Sequence, residues 1–196
     1  RLDWEVMMSI AFEPMTTEQM LALPEDESVE RELIAGELRE RPMTKRNYPH
    51  SRIQANLCFV LKRWSQAQPE PRGAVVAGEA AIRLRRNPDT TVGVDVAYLS
   101  PQTVQANAKD ARVVDGVPLL VVEILSPSDK HEEISAKVRT YLDAGVSLVL
   151  VVDPDLELIT ACRPGVPPES FNTTHELVGD PYLPGLRVLV AEIFSI

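Results

Sequence analysis

The chain has 196 residues, of which 44% are hydrophobic and 25% are charged, and its formal net charge is −9. Fractions of this size exclude a disordered chain, and the length predicts a single domain. The acidic balance excludes nucleic-acid binding through overall charge, so such binding would need a local basic patch or a metal ion.

We expect neither a secretory signal nor a membrane partner, because no apolar run approaches the roughly 20 residues of a transmembrane helix. Cys58 and Cys162 lack the spacing of a disulfide framework or a zinc site, which favours a cytoplasmic location. No P-loop, GxGxxG, HExxH or nucleophile elbow supports a kinase, dinucleotide or serine-hydrolase function. We expect residues 1–14 to be an N-terminal extension or an expression remnant, and residues 15–196 to form the domain.

The first half of the chain predicts a short helix, a hairpin, a long helix and two strands. Ile53, Leu57 and Leu61 recur at helical spacing, which indicates an amphipathic long helix. The predicted elements are a helix from Thr16 or Thr17 to Leu23, a hairpin over Glu32–Arg41 around Gly36, the long helix after Pro49, and strands over Ala74–Leu84 and Val92–Leu99.

Two runs in the second half, Val117–Leu125 and Val146–Val152, are apolar on both faces, as central strands are. The helix between them has Asp129 as its predicted N-cap or first-turn acid and Gly145 just past its end. Strand, helix and strand form a βαβ unit. The predicted fold class is therefore α/β, with a mixed β-sheet core flanked by helices.

Two carboxylates stand out within predicted strands. Glu123 lies inside the first central run, where a carboxylate loses hydration unless it finds a cation or hydrogen-bond donors. A buried salt bridge would explain it, but we favour a metal ligand or general base at the end of the sheet. Asp95 lies in the strand predicted over Val92–Leu99, where a solvated face is the simpler explanation. Together, two such carboxylates are typical ligands of a hard divalent cation such as Mg²⁺.

Three further residues could contribute to a site. Lys137 lies about 40° from Tyr141 on the helical wheel, where its stem could cover the sheet or its ammonium could reach a phosphoryl oxygen. Glu32 opens the hairpin, where an exposed charge at a strand end is the simpler interpretation. We interpret His50, at the start of the long helix, as a cap or surface residue and not as a ligand.

The chain contains a series of motifs that occur in the same order in a known family. It contains RELIAGEL, a Pro-His before an amphipathic helix, VDVAYLS, GVPLLVVEILSPSDK, KVRTYLDAGVSLVLVVDP and LPGLRV. The chain resembles the Uma-type family of endonucleases, within the PD-(D/E)XK, restriction-endonuclease-like superfamily. The resemblance runs from about residue 15 to the end.

The resemblance implies a site built from four residues. Asp95 matches the motif aspartate, Glu123 the motif glutamate and Glu32 the acidic residue of the first segment. The half-motif lysine position holds Leu125, and Lys137 on the next helix is the matching lysine. The resemblance also implies Mg²⁺ or Mn²⁺ as the cofactor.

We therefore expect metal-assisted hydrolysis of a phosphodiester in nucleic acid, with DNA as the expected polymer. Asp95 and Glu123 would bind the cation, Lys137 would assist water or an oxyanion, and Glu32 would hold a water or orient Lys137. A homodimer is expected by analogy. Two alternatives stay open: a catalytically silent nuclease-fold binding or regulatory module, and a structural role in which the acids form an ion-pair network with Lys137.

Several basic residues could contact the phosphate backbone, although a solvated charged face explains them as well. The candidates are Lys45, Arg46, Arg52, Lys62 and Arg63, or Arg83, Arg85 and Arg86.

Overall fold

The computed structural model describes residues 13–43 and 47–196, which form helices packed on both faces of a large sheet. In chain order the elements are α1 (Thr17–Leu21), β1 (Val29–Ile34), β2 (Glu37–Pro42), α2 (Tyr48–Gln66), β3 (Ala74–Arg85), β4 (Thr90–Leu99), α3 (Pro101–Ala106), β5 (Val114–Asp115), β6 (Leu120–Ile124), α4 (His131–Ala144), β7 (Leu148–Asp153), β8 (Leu158–Cys162), β9 (Glu169–Asn172), β10 (Glu176–Val178), β11 (Arg187–Leu189) and α5 (Val190–Phe194).

The main sheet has nine strands within the described residues, in the order β2-β1-β4-β6-β7-β8-β9, with β3 beside β4 and β5 beside β3. Strands β6 and β7 are parallel and are joined by α4, so the predicted βαβ unit is present. Most other pairings are antiparallel. The predicted mixed α/β fold is thereby confirmed.

Two apolar cores lie on opposite faces of the sheet. On one face, Ile53 and Leu57 of α2 pack with α5 and with strand residues such as Leu150. On the other face, the fully buried Tyr141 of α4 packs with strand residues such as Val121. Burial on both sides explains why β6 and β7 are apolar except for Glu123 and the last residue of β7, Asp153.

One edge of β4 is shared by two strands that diverge. β1 pairs with β4 at Thr91, whereas β6 pairs with it from Val96 to Tyr98, and β3 lies along the opposite edge. Asp95 falls between these two pairings. Its backbone carbonyl accepts a hydrogen bond from Gln54 Nε2 of α2 (2.7 Å) in place of a ladder bond. The divergence therefore opens a gap in the sheet at Asp95.

Three predicted boundaries are wrong for identifiable reasons. The long helix begins at Tyr48, because Asn47 caps it and Pro49 is tolerated in a first turn, where its missing N–H leaves no bond unmade. Strand β6 begins only at Leu120. The N-cap of α4 is Lys130 and not Asp129, whose Oδ2 instead accepts a hydrogen bond from the Ser126 amide (2.7 Å).

Almost all of the segment expected to be an extension, residues 1–14, lies outside the described residues. Across residues 13–43 and 47–196, no helix combines the length and the apolar character that a bilayer crossing requires.

A buried arginine connects three separate segments of the fold. Arg83 of β3, with a side chain 6% exposed, donates to Asp115 through Nε and Nη2 (2.7 and 2.6 Å) and to Glu18 of α1 (2.6 Å). Its Nη1 also lies 3.4 Å from Asp89, which accepts hydrogen bonds from Thr17 as well. Arg83 thereby ties α1 and β5 to the β3–β4 turn.

We predict that Arg83→Met lowers the free energy of unfolding by about 3 kcal/mol, because it removes the cation shared by these carboxylates. Arg86→Met is the matched control: Arg86 also binds Asp115 (2.7 Å) but is 56% exposed, so the change should stay within about 0.5 kcal/mol. Urea unfolding of the three proteins measures the difference. Equal stabilities of Arg83→Met and Arg86→Met would show that the buried network contributes no more to the free energy of unfolding than a surface ion pair does.

Candidate active site

Asp95 and Glu123 face each other across the β4–β6 ladder. The ladder pairs Val96 with Val122, so the next position on each strand sets Asp95 opposite Glu123. Residues opposite each other in an antiparallel pair project from the same face, here the face that α4 covers. Asp95 is 4% exposed and Glu123 is 5% exposed. Two carboxylates predicted from separate strands are thus neighbours in a buried position.

Asp95 is held by contacts from two elements. Its Oδ2 accepts a hydrogen bond from the backbone amide of Ile124 (2.8 Å), where β6 has left the ladder. Its Oδ1 lies 3.1 Å from Nε2 of His50, which is 1% exposed in the first turn of α2. The Ile124 amide therefore fixes one carboxylate oxygen, and the buried imidazole packs against the other.

Glu123 is held by α4. Nζ of Lys137 lies 3.1 Å from Oε2 and 3.3 Å from Oε1, and the buried Tyr141 hydroxyl donates to Oε1. The structure thus brings Lys137 to Glu123, as its position beside the apolar stripe predicted. These two donors stand one turn apart on the same face of the helix.

Glu32 reaches the same ammonium from the hairpin. Its Oε1 lies 3.7 Å from Nζ of Lys137, and its Oε2 accepts a hydrogen bond from Nη2 of Arg41 (2.8 Å). The four residues predicted for the site therefore lie together: Glu32 and Glu123 are near the ammonium of Lys137, and Asp95 is near Glu123. Glu32 is 7% exposed, so it is not the solvated strand-end charge of the simpler interpretation.

Burial and charge shift the ionisation of this cluster. Burial raises the pKa of Glu123, and the negative charge of Asp95 adds to that increase against the opposing effects of Lys137 and Tyr141. Burial acts to lower the pKa of Lys137, but the charges of Glu123 and Glu32 outweigh it, so the pKa is raised. Lys137 therefore stays an ammonium at neutral pH.

Two adjoining clefts open onto the cluster. One, of about 380 Å³, is lined by Asp95, Glu123 and Lys137. The other, of about 440 Å³, lies between the β1–β2 hairpin and α4 and is lined by Glu32 and Arg39. Both share Arg41 and Lys137 as walls, so the ammonium stands where the two clefts meet.

Sequence reasoning missed three residues of the site: His50, Tyr141 and Arg41. The interpretation of His50 as a cap or surface residue is wrong, because its side chain is buried against Asp95. A signal was available, since extending the apolar stripe of α2 back from Ile53 by three positions reaches His50. Arg41 lies opposite Glu30 in the hairpin register, on the face that carries Glu32.

Three of the predicted phosphate contacts, those in and just after β3, have other partners. Arg83 is buried among carboxylates, which removes it as a candidate, and Arg86 pairs with Asp115. Arg85 donates to the carbonyl of Asp143 (2.9 Å). Lys45 and Arg46 lie outside the described residues. Instead, the cations that line the clefts include Arg39, Arg41 and Lys130.

The donor set suits a divalent cation that keeps much of its own water shell. Within the described parts of the chain, no three His, Cys, Asp or Glu side chains are grouped to hold one ion. Mg²⁺ commonly needs only one or two protein carboxylates together with water and substrate phosphate oxygens. The neighbouring carboxylates of Asp95 and Glu123, beside an open cleft, fit that requirement.

The chain is similar to one family of proteins and to a solved structure. The family model Uma2, described as "Putative restriction endonuclease", matches residues 17–191. A crystal structure from Anabaena variabilis, described as "a putative nuclease belonging to DUF820", is 21% identical with a TM-score of 0.75, and the match covers 92% of this chain and 98% of that one. At that identity the likeness establishes the fold alone. No curated protein is significantly similar.

We predict that Lys137→Met lowers the free energy of unfolding by about 3–5 kcal/mol near neutral pH, because it strands a buried Glu123 charge. A carboxyl with a raised pKa binds more protons in the folded state, so stability falls as the pH rises from about 4.3 through the folded-state pKa. Losing the ammonium raises that pKa further and extends the fall to higher pH. Urea unfolding at several pH values measures both effects.

Two variants make this test specific. Adding Glu123→Gln to Lys137→Met removes the stranded charge and should restore most of the lost stability. Lys130→Met is the matched control, because Lys130 is 72% exposed and only pairs with Glu133 at the surface (3.3 Å). The prediction fails if Lys137→Met and Lys130→Met are equally stable.

Proposed function

Because the chain belongs to the Uma2 family, we propose that it is a metal-dependent endonuclease that hydrolyses phosphodiester bonds in nucleic acid, with DNA as the polymer. The family description, a restriction endonuclease, supports nuclease chemistry. The observation that carries the proposal is the β4–β6 register, in which the buried Asp95 and Glu123 lie opposite each other beside the ammonium of Lys137.

Asp95 and Glu123 would hold Mg²⁺ or Mn²⁺. Such a cation supplies Lewis-acid stabilisation of phosphate charge and makes water a stronger acid. The contribution of this chain is orientation. The Ile124 amide and the His50 imidazole fix Asp95, while Tyr141 fixes one oxygen of Glu123. Preorganised ligands of this kind cost little reorganisation when substrate binds.

Lys137 would donate hydrogen bonds to the attacking water or to a phosphoryl oxygen. An ammonium has three donors and no acceptor, so it stabilises negative charge and does not take up a proton. Glu32, itself held by Arg41, lies beside Lys137 and would orient it or hold a water near the cation. Arg39 and Arg41 line the second cleft, where they would hold phosphates that flank the scissile one.

Two finer proposals accompany the reaction, and one alternative to it is carried by the same contacts. Both cysteines are free thiols, which suits the reducing cytoplasm where we propose that the protein acts. A homodimer would present two sites to the two strands of a duplex. The alternative, a catalytically silent module, draws on the same contacts, because Lys137 and Tyr141 already satisfy Glu123 without a cation.

We predict metal-dependent cleavage by the wild-type protein and a loss of at least about 100-fold in Glu123→Gln, which keeps the shape but removes the ligand charge. The substrates are supercoiled DNA, linear duplex DNA, single-stranded DNA and RNA, each with Mg²⁺, Mn²⁺ or EDTA. Glu133→Gln is the matched control: Glu133 lines the same cleft but is exposed, so its loss should change the rate by less than about twofold.

All proteins are purified identically, so that a contaminating nuclease would cut in every sample. Cleavage that persists unchanged in Glu123→Gln, or no cleavage of any substrate, contradicts the proposal and leaves the silent module as the better explanation.

We predict that His50→Ala weakens Mn²⁺ binding by about 10- to 100-fold, because it frees a ligand that the imidazole holds in place. Isothermal titration with Mn²⁺ measures the affinity without any catalytic step. Gln is long enough to approach Asp95 Oδ1 with its amide, so His50→Gln should retain more affinity than His50→Ala. A purely structural role would lower thermal stability in His50→Ala but leave the Mn²⁺ affinity unchanged.

A further inference from the structure

Helix α2 has a charge opposite to that of the protein that carries it. The stretch from Arg41 to Pro69 contains six Lys or Arg residues and no Asp or Glu, in a chain whose net charge is −9. Three of these cations, Arg52, Lys62 and Arg63, lie on α2 itself. The protein therefore has a local basic segment, which is what an acidic protein needs in order to bind a polyanion.

The solvent side of α2 also exposes two aromatic rings. Tyr48 is 72% exposed and Phe59 is 65% exposed, among the largest exposures of any hydrophobic side chain in the described residues. They stand eleven positions apart, which is close to three full turns, so both rings lie on one side of the helix about 16 Å apart. Neither ring contributes to the apolar cores.

Each ring has a guanidinium beside it. Arg52 lies 5.9 Å from the centre of the Tyr48 ring, and Arg63 lies 5.5 Å from the centre of the Phe59 ring. Arg52 is anchored by hydrogen bonds to the carbonyls of Phe194 and Ser195, whereas Arg63 pairs with Glu192 at the surface (3.1 Å). We call these five residues, Tyr48, Arg52, Phe59, Lys62 and Arg63, the α2 face.

Exposed rings interleaved with cations match the chemistry of unpaired nucleotides. Bases that are not paired can stack on aromatic side chains, while their phosphates lie near Lys and Arg. A duplex keeps its bases stacked inside and would leave the rings unused. A symmetric dimer through this face is disfavoured, because it would bring the same cations of the two copies together.

The position of α2 connects this face with the candidate active site. His50, in the first turn of the helix, contacts Asp95, so this turn lies near the site, with Tyr48 on the opposite, solvent side of the helix. The distance from Tyr48 to Phe59 corresponds to about five nucleotides at the rise of roughly 3.4 Å per nucleotide of a stacked strand. A strand of about five nucleotides would therefore span the α2 face.

We propose that the α2 face binds a single-stranded stretch of the substrate, by stacking bases on Tyr48 and Phe59 and by contacting phosphates through Lys62 and Arg63. This inference rests on the proposed nuclease function. To that function it adds that the bound polymer is single-stranded, and that a surface outside the carboxylate cluster binds it.

Fluorescence anisotropy in EDTA tests the proposal without cleavage. The probes are a labelled oligothymidylate of about 20 nucleotides and a labelled duplex of similar length. We expect tighter binding of the single strand, and a loss of at least about fivefold in both Tyr48→Ala and Phe59→Ala. Leu156→Ala, which removes a side chain of 70% exposure in the turn between β7 and β8, should bind like the wild type.

Salt dependence tests the phosphate contact separately. Lys62→Ala should reduce the slope of log affinity against log salt by about 0.7, which is the effect of one phosphate contact on a single strand. Phe59→Ala should leave this slope unchanged, because stacking releases no counterion. Thermal melts of all variants verify that these exposed substitutions leave the fold intact.

Three results overturn the proposal: duplex binding as tight as single-strand binding, unchanged affinity in both aromatic variants, or a wild-type dimer that Phe59→Ala converts to a monomer in light scattering. The last result would identify the face as a contact between two copies. Binding that depends on the α2 face without any cleavage would refute the nuclease function alone, whereas cleavage with unchanged binding in the variants would refute only the assignment of this surface.

Discussion

The divergence of β1 and β6 from one edge of β4 is the constraint on which the candidate site depends. Where two strands separate, backbone groups lose their ladder partners, and buried groups must find others. Here the Gln54 side chain binds the Asp95 carbonyl, and the Asp95 carboxylate binds the Ile124 amide. The same gap gives the carboxylates access to a cleft. The contacts that give these backbone groups hydrogen-bond partners therefore also orient the Asp95 carboxylate.

The charge balance around this gap differs from that of the buried Arg83 network. Arg83 provides one buried cation for three carboxylates, and its contacts connect separate segments of the fold. At the candidate site, Asp95 and Glu123 face each other beside an open cleft, and burial raises the pKa of Glu123. A divalent cation would relieve the repulsion between these two carboxylates. This contrast is why the first cluster is interpreted as structural and the second as chemical.

Patterns within single elements were predictable from the sequence, and relations between elements were less so. The apolar runs gave the βαβ unit, the motif order gave the family, and the wheel position of Lys137 indicated its contact with the sheet. The role of His50 depends on where α2 crosses β4, which no local pattern encodes. The divergence of the strands at Asp95 depends on register across three strands and was equally out of reach.

Lys137 reaches Glu123 from a helix, whereas Leu125 stands at the strand position that the resemblance assigns to the lysine. A strand-borne lysine would share one backbone segment with Glu123. Here α4 must be docked on the sheet before Lys137 can meet the carboxylates. Without α4 on the sheet, Glu123 would lose both the Lys137 ammonium and the Tyr141 hydroxyl. The pairing that satisfies Glu123 therefore forms only with the tertiary packing of α4, and not with the strands alone.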